Sequence, residues 1–537
     1  MDITKRLLMS KIFPILLISW VGIVVYSNTY HCPFELDDIP NIVENNSLKN
    51  FHNILGVWDF YPCRFLFYLS IAFNYHLHQF NMVGYHVFNV GIHLGVAVLV
   101  WWFVLLTLSS DAMKEEEISK HADLVALFAG LIFVAHPIQT EAVTYIDQRA
   151  ACMAALFYMA SICFYIKSRF LAGEQAFTFR RRVFYICSFV TAVAAMFTKE
   201  NTITLPLMIL LYEFIFLKKD GKMNWAYLIP ILCSIAIIPL TKFMTRAGDF
   251  QLLYHAAQSP SKISPVQYLL TQLRVMVTYI RLVFLPINQN LDYDYPISRS
   301  IFELPTLISF VFLSGILFSA KQLYANHKLM AFSIFWFFLS LLPESTFLPI
   351  QDVIFEHRLY LPMVGGSIFL LSGLYYLCGR HDLSLMVKVL TVLIICYALL
   401  TYQRNQVWGS EFSLWDDAAK KSPYKTRPYD NRGVAYGQQG HLTQAIADFN
   451  QAIEINPHDA KAFCNRGRAY ELLGNFAQAI SDYSMTIALM PDFALAYRNR
   501  AIVYYHIKEY DKAFADMNKA KELNEASLVH PWSNNIR

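Results

Sequence analysis

Apolar runs and short polar knots alternate along the first four hundred residues of this chain. The runs cover 11–27, 82–107, 123–136, 150–167, 183–198, 201–217, 225–244, 304–319, 329–342, 359–377 and 386–402. At about 1.5 Å of rise per helical residue they cross, or nearly cross, a hydrocarbon layer about 30 Å thick. A further run, 266–286, carries Arg274 and Arg281 inside an otherwise apolar pattern. It reads as a helix lying in the interface or dipping into it. The pattern predicts an all-α fold whose first part, residues 1–405, is a polytopic membrane domain of about eleven crossings plus that interfacial helix. The first span follows Lys5 and Arg6 as a signal peptide would, but no small-residue cleavage site comes after it, so it reads as a retained helix.

The period changes after Tyr402. Pro423, Pro457 and Pro491 recur every 34 residues, the spacing of tetratricopeptide repeats. In the same register stand Gly433, Gly467 and Ala501, then Ala445, Ala479 and Ala513, where small residues let paired helices approach. Tyr436, Tyr470 and Tyr504 and the trio Phe449, Tyr483 and Met517 fill the gaps between them. Three repeats are expected over 423–525, preceded by a half-repeat connector at 406–422 and followed by a polar tail at 526–537. Such arrays usually bind peptides or partner proteins in a concave groove. The bland alternative is a rigid cap.

Composition supports this division. With 56% hydrophobic and 16% charged residues, the chain departs from the soluble average of about 25% charged. Lys and Arg gather in the N-terminus and in the connections 167–182, 218–222, 321–328 and 380–388. Placing these on the cytoplasmic side puts the large first loop, 28–65, and the later polar knots together on the external face. It also puts the C-terminal repeats outside. Nine cysteines show no metal-ligand spacing, though Cys32 and Cys63 share the first loop and could form a disulfide there.

Candidate chemistry sits in the polar knots, because charge beside hydrocarbon is expensive and repeated examples call for a shared site. Asp37 and Asp38 are adjacent carboxylates, and neighbouring carboxylates resist joint ionisation, which suits one of them to proton abstraction. They serve equally as a solvated pair or a helix cap. His136 and Glu141 lie in one knot, and Arg149 opens the next span. Lys199 and Glu200 make a connection that is otherwise a tight polar turn. Asp292 stands in NLDYDYP, Glu344 in PEST, and Glu356, His357 and Arg358 before LYLP. Cations at these entrances can clamp a phosphate or diphosphate or simply snorkel. Tyr360 and Trp408 read as interface-belt aromatics. No phosphate loop, nucleophile elbow or zinc motif is present, which argues against ATPases, serine hydrolases and zinc proteases.

Taken in order, DDIPNIVEN, HPIQTEAVTYIDQRA, TKENTITLPLMILLYE, NLDYDYP, PEST with EHRLYLP, and then the repeats resemble bacterial relatives of the transmembrane and tetratricopeptide-repeat-containing O-mannosyltransferases, within the GT-C superfamily. The resemblance implies inverting transfer of a sugar from a polyprenyl-phosphate donor to an acceptor hydroxyl on the external face, in protein O-glycosylation. It implies Asp37 or Asp38 as the base and Arg149, Lys199, His357 and Arg358 as donor-phosphate ligands. Ala151 departs from relatives that carry an acidic residue there. No cofactor is required by this scheme, although the adjacent aspartates could hold a divalent metal. Expected partners are the lipid-linked sugar, membrane lipid and an acceptor protein or peptide engaged through the repeat groove, with no nucleic acid. The expected place is a bacterial inner membrane with the repeats in the periplasm. Two alternatives remain at this point: a glycan ligase or polymerase using a lipid diphosphate, and a non-catalytic anchor that displays the repeats.

Overall fold

A computed structural model describes residues 11–171, 178–218, 223–245, 263–346, 349–350 and 352–528. Lys5, Arg6, most of the 218–222 connection and the polar tail from residue 529 lie outside the described residues. All described regular structure is helical. The chain divides into two compact units: residues 1–289 with 295–406, and residues 290–294 with 407–537.

Each of the eleven apolar runs forms a helix in the first unit. Among the described residues eight helices are long and apolar enough to cross a membrane, from Met82–Leu108 to Leu383–Val407, which makes this a multi-pass membrane protein. Ile12–Val25 and Lys328–Leu341 are shorter apolar helices. The eleventh, Thr178–Met196, begins with Arg180, Arg181 and Arg182. The 266–286 run forms Pro265–Phe284, opened by a capping box in which Ser264 and Gln267 satisfy each other's backbone. Its buried residues Tyr268, Gln272, Val275, Tyr279 and Leu282 follow a helical stripe. That stripe carries polar tips: Tyr268 donates to Glu344 O, Gln272 to Val353 O and Tyr279 to Phe355 O. The helix thus ties down the backbone at Glu344, Val353 and Phe355.

The first loop is not open chain. Ile42, Leu48 and Val57 bury themselves against Phe67, Tyr68, Ile71, Tyr85, Ile146 and Ala150. Full burial of such side chains stabilises by about 1.5–3 kcal/mol each, before the entropy of ordering the loop is set against it. This small core carries the loop over to residues 146–150. Cys32 and Cys63, which could have been bridged, are both buried free thiols.

The second unit contains Glu411–Lys421 and three helix pairs: Thr426–Gln438 with Leu442–Ile455, Ala460–Leu472 with Phe476–Leu489, and Ala494–His506 with Tyr510–Leu528. Gly433 earns its place by contact, since a Cβ there would lie 2.6 Å from the Phe449 ring. Trp408, expected at a membrane interface, is instead buried in this unit.

Candidate functional site

Four of the polar knots converge in the first unit. Asp38 is their hinge: one carboxylate oxygen accepts the Glu35 N–H at 3.0 Å and the other the Asp147 N–H at 2.6 Å. Burial holds its pKa well above the usual range, and the nearby Asp147 charge adds to this. Both oxygens are therefore spent on the backbone. Leu36, between these residues, sits at φ +49°, a left-handed conformation unfavourable to a branched side chain. Asp37 follows it, exposed, with its N–H donated to the Tyr145 hydroxyl at 2.8 Å and no hydrogen bond to its carboxylate among the described residues. The two adjacent aspartates have thus been given opposite environments.

Asp147, quoted within its motif but not singled out from the sequence, is the buried partner carboxyl. Asn41 donates to it at 3.0 Å, and Gln148 at 3.3 Å. Burial and then the Asp37 charge raise it to about 6, against the opposing pull of Arg64, Asn41 and Lys199. Arg64 was also missed. It pairs with Glu200 at 3.1 Å, while Tyr61 donates to the same carboxylate at 2.8 Å. Arg64 stands in none of the motifs read from the sequence.

Lys199 is buried, 6% exposed, yet poorly paired. Its ammonium lies 3.5 Å from Gln148 Oε1 and 3.9 Å from Glu344 Oε1. Burial depresses its pKa, with Glu344 pulling the other way and Arg64 reinforcing the depression. Glu344 Oε2 is buried without a hydrogen bond among the described residues. Beyond it, Glu141 meets His357: Oε1 lies 2.6 Å from Nδ1, and Oε2 accepts the N–H groups of Glu356 and His357 at 2.9 and 3.3 Å. Burial lifts Glu141 to about 7 and pushes His357 well below its ordinary value, the latter helped by Lys199. Arg358 donates to Val353 O and Asp352 O, and its guanidinium lies over the Phe355 ring. Glu356 accepts from Gln289 at 2.7 Å, which orients the turn before His357.

Other candidates have different work. Arg149 is fully buried, with Nε on Asn89 at 2.6 Å, Nη2 on Tyr85 O and Nη1 on Ser70, and it is covered by the Tyr85 and Phe88 rings. Its donors are consumed by protein acceptors, so it locks helices together rather than facing a ligand. His136 caps Pro137–Gln139 through Nδ1 and bonds Val283 O through Nε2, again inside the core. Tyr360 corrects the interface-belt expectation: it is 1% exposed and its hydroxyl lies 2.7 Å from His93 Nδ1. Asp292 does not join the cluster. It lies in the second unit, where Lys425 bonds it and Arg427 forks onto it at 2.7 Å. Among the described residues no group of three or more His, Cys, Asp or Glu side chains is arranged to hold a metal ion.

The arrangement is a run of open carboxylate, buried carboxyl, under-paired ammonium and carboxylate–imidazole pair. It can take up a proton at one end and hold an anion beside it. Comparison with known proteins matches both halves of the chain. The tetratricopeptide-repeat family matches at residues 433–474 and 460–493. The protein O-mannosyl-transferase Tmtc3 of Drosophila melanogaster is 25% identical over 520 residues, covering 81% of this chain and 54% of the relative. TMTC3 of Mus musculus is 25% identical, covering 80% and 50%, and TMTC3 of Homo sapiens 25%, covering 81% and 51%. The chain spans about half the length of these relatives. The resemblance drawn from the motifs is borne out: four-fifths of the chain is similar to the protein O-mannosyl-transferases, and its C-terminal part carries tetratricopeptide repeats.

Proposed function

We propose that this protein is a membrane glycosyltransferase of protein O-glycosylation, moving a sugar with inversion from a polyprenyl phosphate to a Ser or Thr hydroxyl. The observation that carries the reading is the open Asp37 carboxylate next to buried Asp147 and, through Arg64, the under-paired Lys199. Asp37 removes the hydroxyl proton as the acceptor oxygen attacks the anomeric carbon. The bond from that carbon to the phosphate oxygen breaks, and its electron pair leaves on the lipid phosphate. Lys199 and Arg358 stabilise that developing charge, which is where electrostatic catalysis is most effective. His357 offers Nε2–H to the same phosphate when Glu141 carries the proton on their shared 2.6 Å bond. Asp38 positions Asp37, and Arg149 holds the helices beneath. The names of the relatives favour mannose as the sugar. The charge distribution favours an external site in an inner membrane, with the repeats in the periplasm presenting the acceptor protein.

The test is transfer from labelled polyprenyl-phosphate mannose to a Ser/Thr-rich acceptor by the protein in proteoliposomes. Asp37→Asn should cost about 10²–10⁴ in rate with donor binding intact. Asp38→Asn should instead lower thermal stability along with turnover. Wild-type turnover in Asp37→Asn removes the assigned base. Consumption of an oligosaccharide diphospholipid in place of the monophosphate donor would favour a glycan ligase.

A further inference from the structure

We propose a second anion site, at the opposite end of helix Thr178–Met196 from Lys199, which binds the phosphate of an acidic phospholipid. A cavity of about 230 Å³ opens there, lined by Arg181, Arg182, Tyr185, Ile186, Ala226 and Tyr227. Arg181 lies in the first turn of that helix and Lys199 just beyond its last, roughly 27 Å apart at about 1.5 Å per residue. That is close to one hydrocarbon thickness. The cavity therefore serves the membrane face away from the polar cluster.

Its floor is built. The Tyr185 hydroxyl donates to Tyr227 O at 2.9 Å, and the two rings meet edge to face with centroids 5.1 Å apart. Arg169 and Arg181 lie over the Tyr227 ring at 5.1 and 5.7 Å. Arg169 is already committed, forked onto Glu213 at 2.7 and 3.1 Å. Arg181 and Arg182 have no carboxylate partner among the described residues, so two planar donor sets converge on an opening with no described carboxylate to meet them. Such forks match phosphate oxygens in pairs.

What separates a lipid from a soluble phosphate is the adjoining wall. Ile186, Val190, Trp225 and Ile229 are all exposed on helices that face hydrocarbon, and Trp225 opens Trp225–Cys233, where interfacial aromatics settle. A headgroup phosphate on the arginines lays its acyl chains along this strip. Basic connections on the same side of the membrane gather acidic lipid to it.

The test uses the full-length protein in detergent, titrated with phosphatidylglycerol and separately with phosphatidylcholine, bound lipid being counted by native mass spectrometry. Phosphatidylglycerol should bind the wild type in preference. The double variant Arg181→Gln/Arg182→Gln should weaken it about 30-fold and leave phosphatidylcholine adducts unchanged. Ala226→Trp, which fills the cavity without touching charge, should remove the same adduct. Undiminished phosphatidylglycerol binding in either variant overturns the proposal. So does displacement of the lipid by millimolar inorganic phosphate, which would make this a site for a soluble anion.

Discussion

The membrane unit and the repeat unit both bury charge, but they complete it differently. In the repeats, Arg432, Arg466 and Arg500 fork onto Asp448, Asp482 and Asp516, every bond between 2.7 and 2.9 Å. Each guanidinium spends a third N–H on Asp416, Asn450 or Ser484 and lies against the aromatic rings of its own repeat. Each carboxylate and its guanidinium are thus satisfied by one another within the protein. In the polar cluster, by contrast, Lys199 has only contacts of 3.5 and 3.9 Å, and Glu344 Oε2 has no hydrogen bond among the described residues. A buried charge without a good partner is costly. The first pattern belongs to a scaffold; the second fits a site whose missing partner arrives with a substrate.

The largest expected effect follows from that contrast. Lys199→Met should weaken binding of a polyprenyl-phosphate sugar about 100-fold, the loss of a charge-assisted hydrogen bond to phosphate. Folding should survive, because the lost ammonium has no close partner in the protein. Titration of a fluorescent donor analogue, alongside thermal unfolding, separates the two. Unchanged donor affinity would place the phosphate elsewhere in the cluster.

The ladder should respond in the opposite sense. Arg466→Gln leaves Asp482 buried and unpaired, and should cost about 2 kcal/mol of local stability. Hydrogen exchange of Ala460–Leu472 and Phe476–Leu489 in the full chain reads this directly. Donor binding should not move. An exchange pattern like wild type would mean the ladder is decorative.

Much of this was legible in the sequence, for identifiable reasons. A helix of apolar residues and a 34-residue period both leave repeating marks, so every predicted span and every repeat helix is found. The convergence of DDIPNIVEN, IDQRA, TKEN and EHR was also legible, since charge at span ends needs a common solvent. What escaped was the division of labour. Arg149 and Lys199 look alike as cations at span entrances; only packing shows that one is bonded to Tyr85 O and Asn89 while the other is buried with only long contacts to Gln148 and Glu344. Asp292 sits in a motif of the membrane half, yet folds onto Lys425 and Arg427, more than a hundred positions away. Arg64 gave no pattern at all and Asp147 was not told apart from the rest of its motif, because a site assembled from four loops has no period.

A smaller effect comes from protonation. Burial raises Asp147 to about 6 and Glu141 to about 7, so the folded unit holds these protons more tightly than the unfolded chain. The stability they contribute is full below about pH 4 and is lost as pH rises through about 6 and 7 respectively. Each contributes a slope of at most about 1.4 kcal/mol per pH unit in its window. Melting of the full chain from pH 4.5 to 7.5 should show a flatter decline in Asp147→Asn/Glu141→Gln than in wild type. Equal slopes would mean that the cluster is wetter than its burial implies, and the distinction from the ion pairs of the repeats would weaken.

The smallest effect lies inside the scaffold, where the three repeats can be compared with one another. Gly440 and Gly474 end the first helices of two repeats at φ +78° and +76°, conformations that glycine adopts freely. The equivalent place in the third repeat is Lys508, at φ +65°. A side chain in that region strains against its own carbonyl by about 1–2 kcal/mol, although nearby space is open at both glycines. Part of any gain from removing the strain is offset by the greater freedom of an unfolded glycine. Lys508→Gly should therefore stabilise the last helix pair by about 1 kcal/mol, seen as slower exchange of amides in Ala494–His506. Gly474→Ala should lose a similar amount from its own repeat. If the two substitutions shift exchange in the same direction, something other than the backbone turn sets the stability of the array's end.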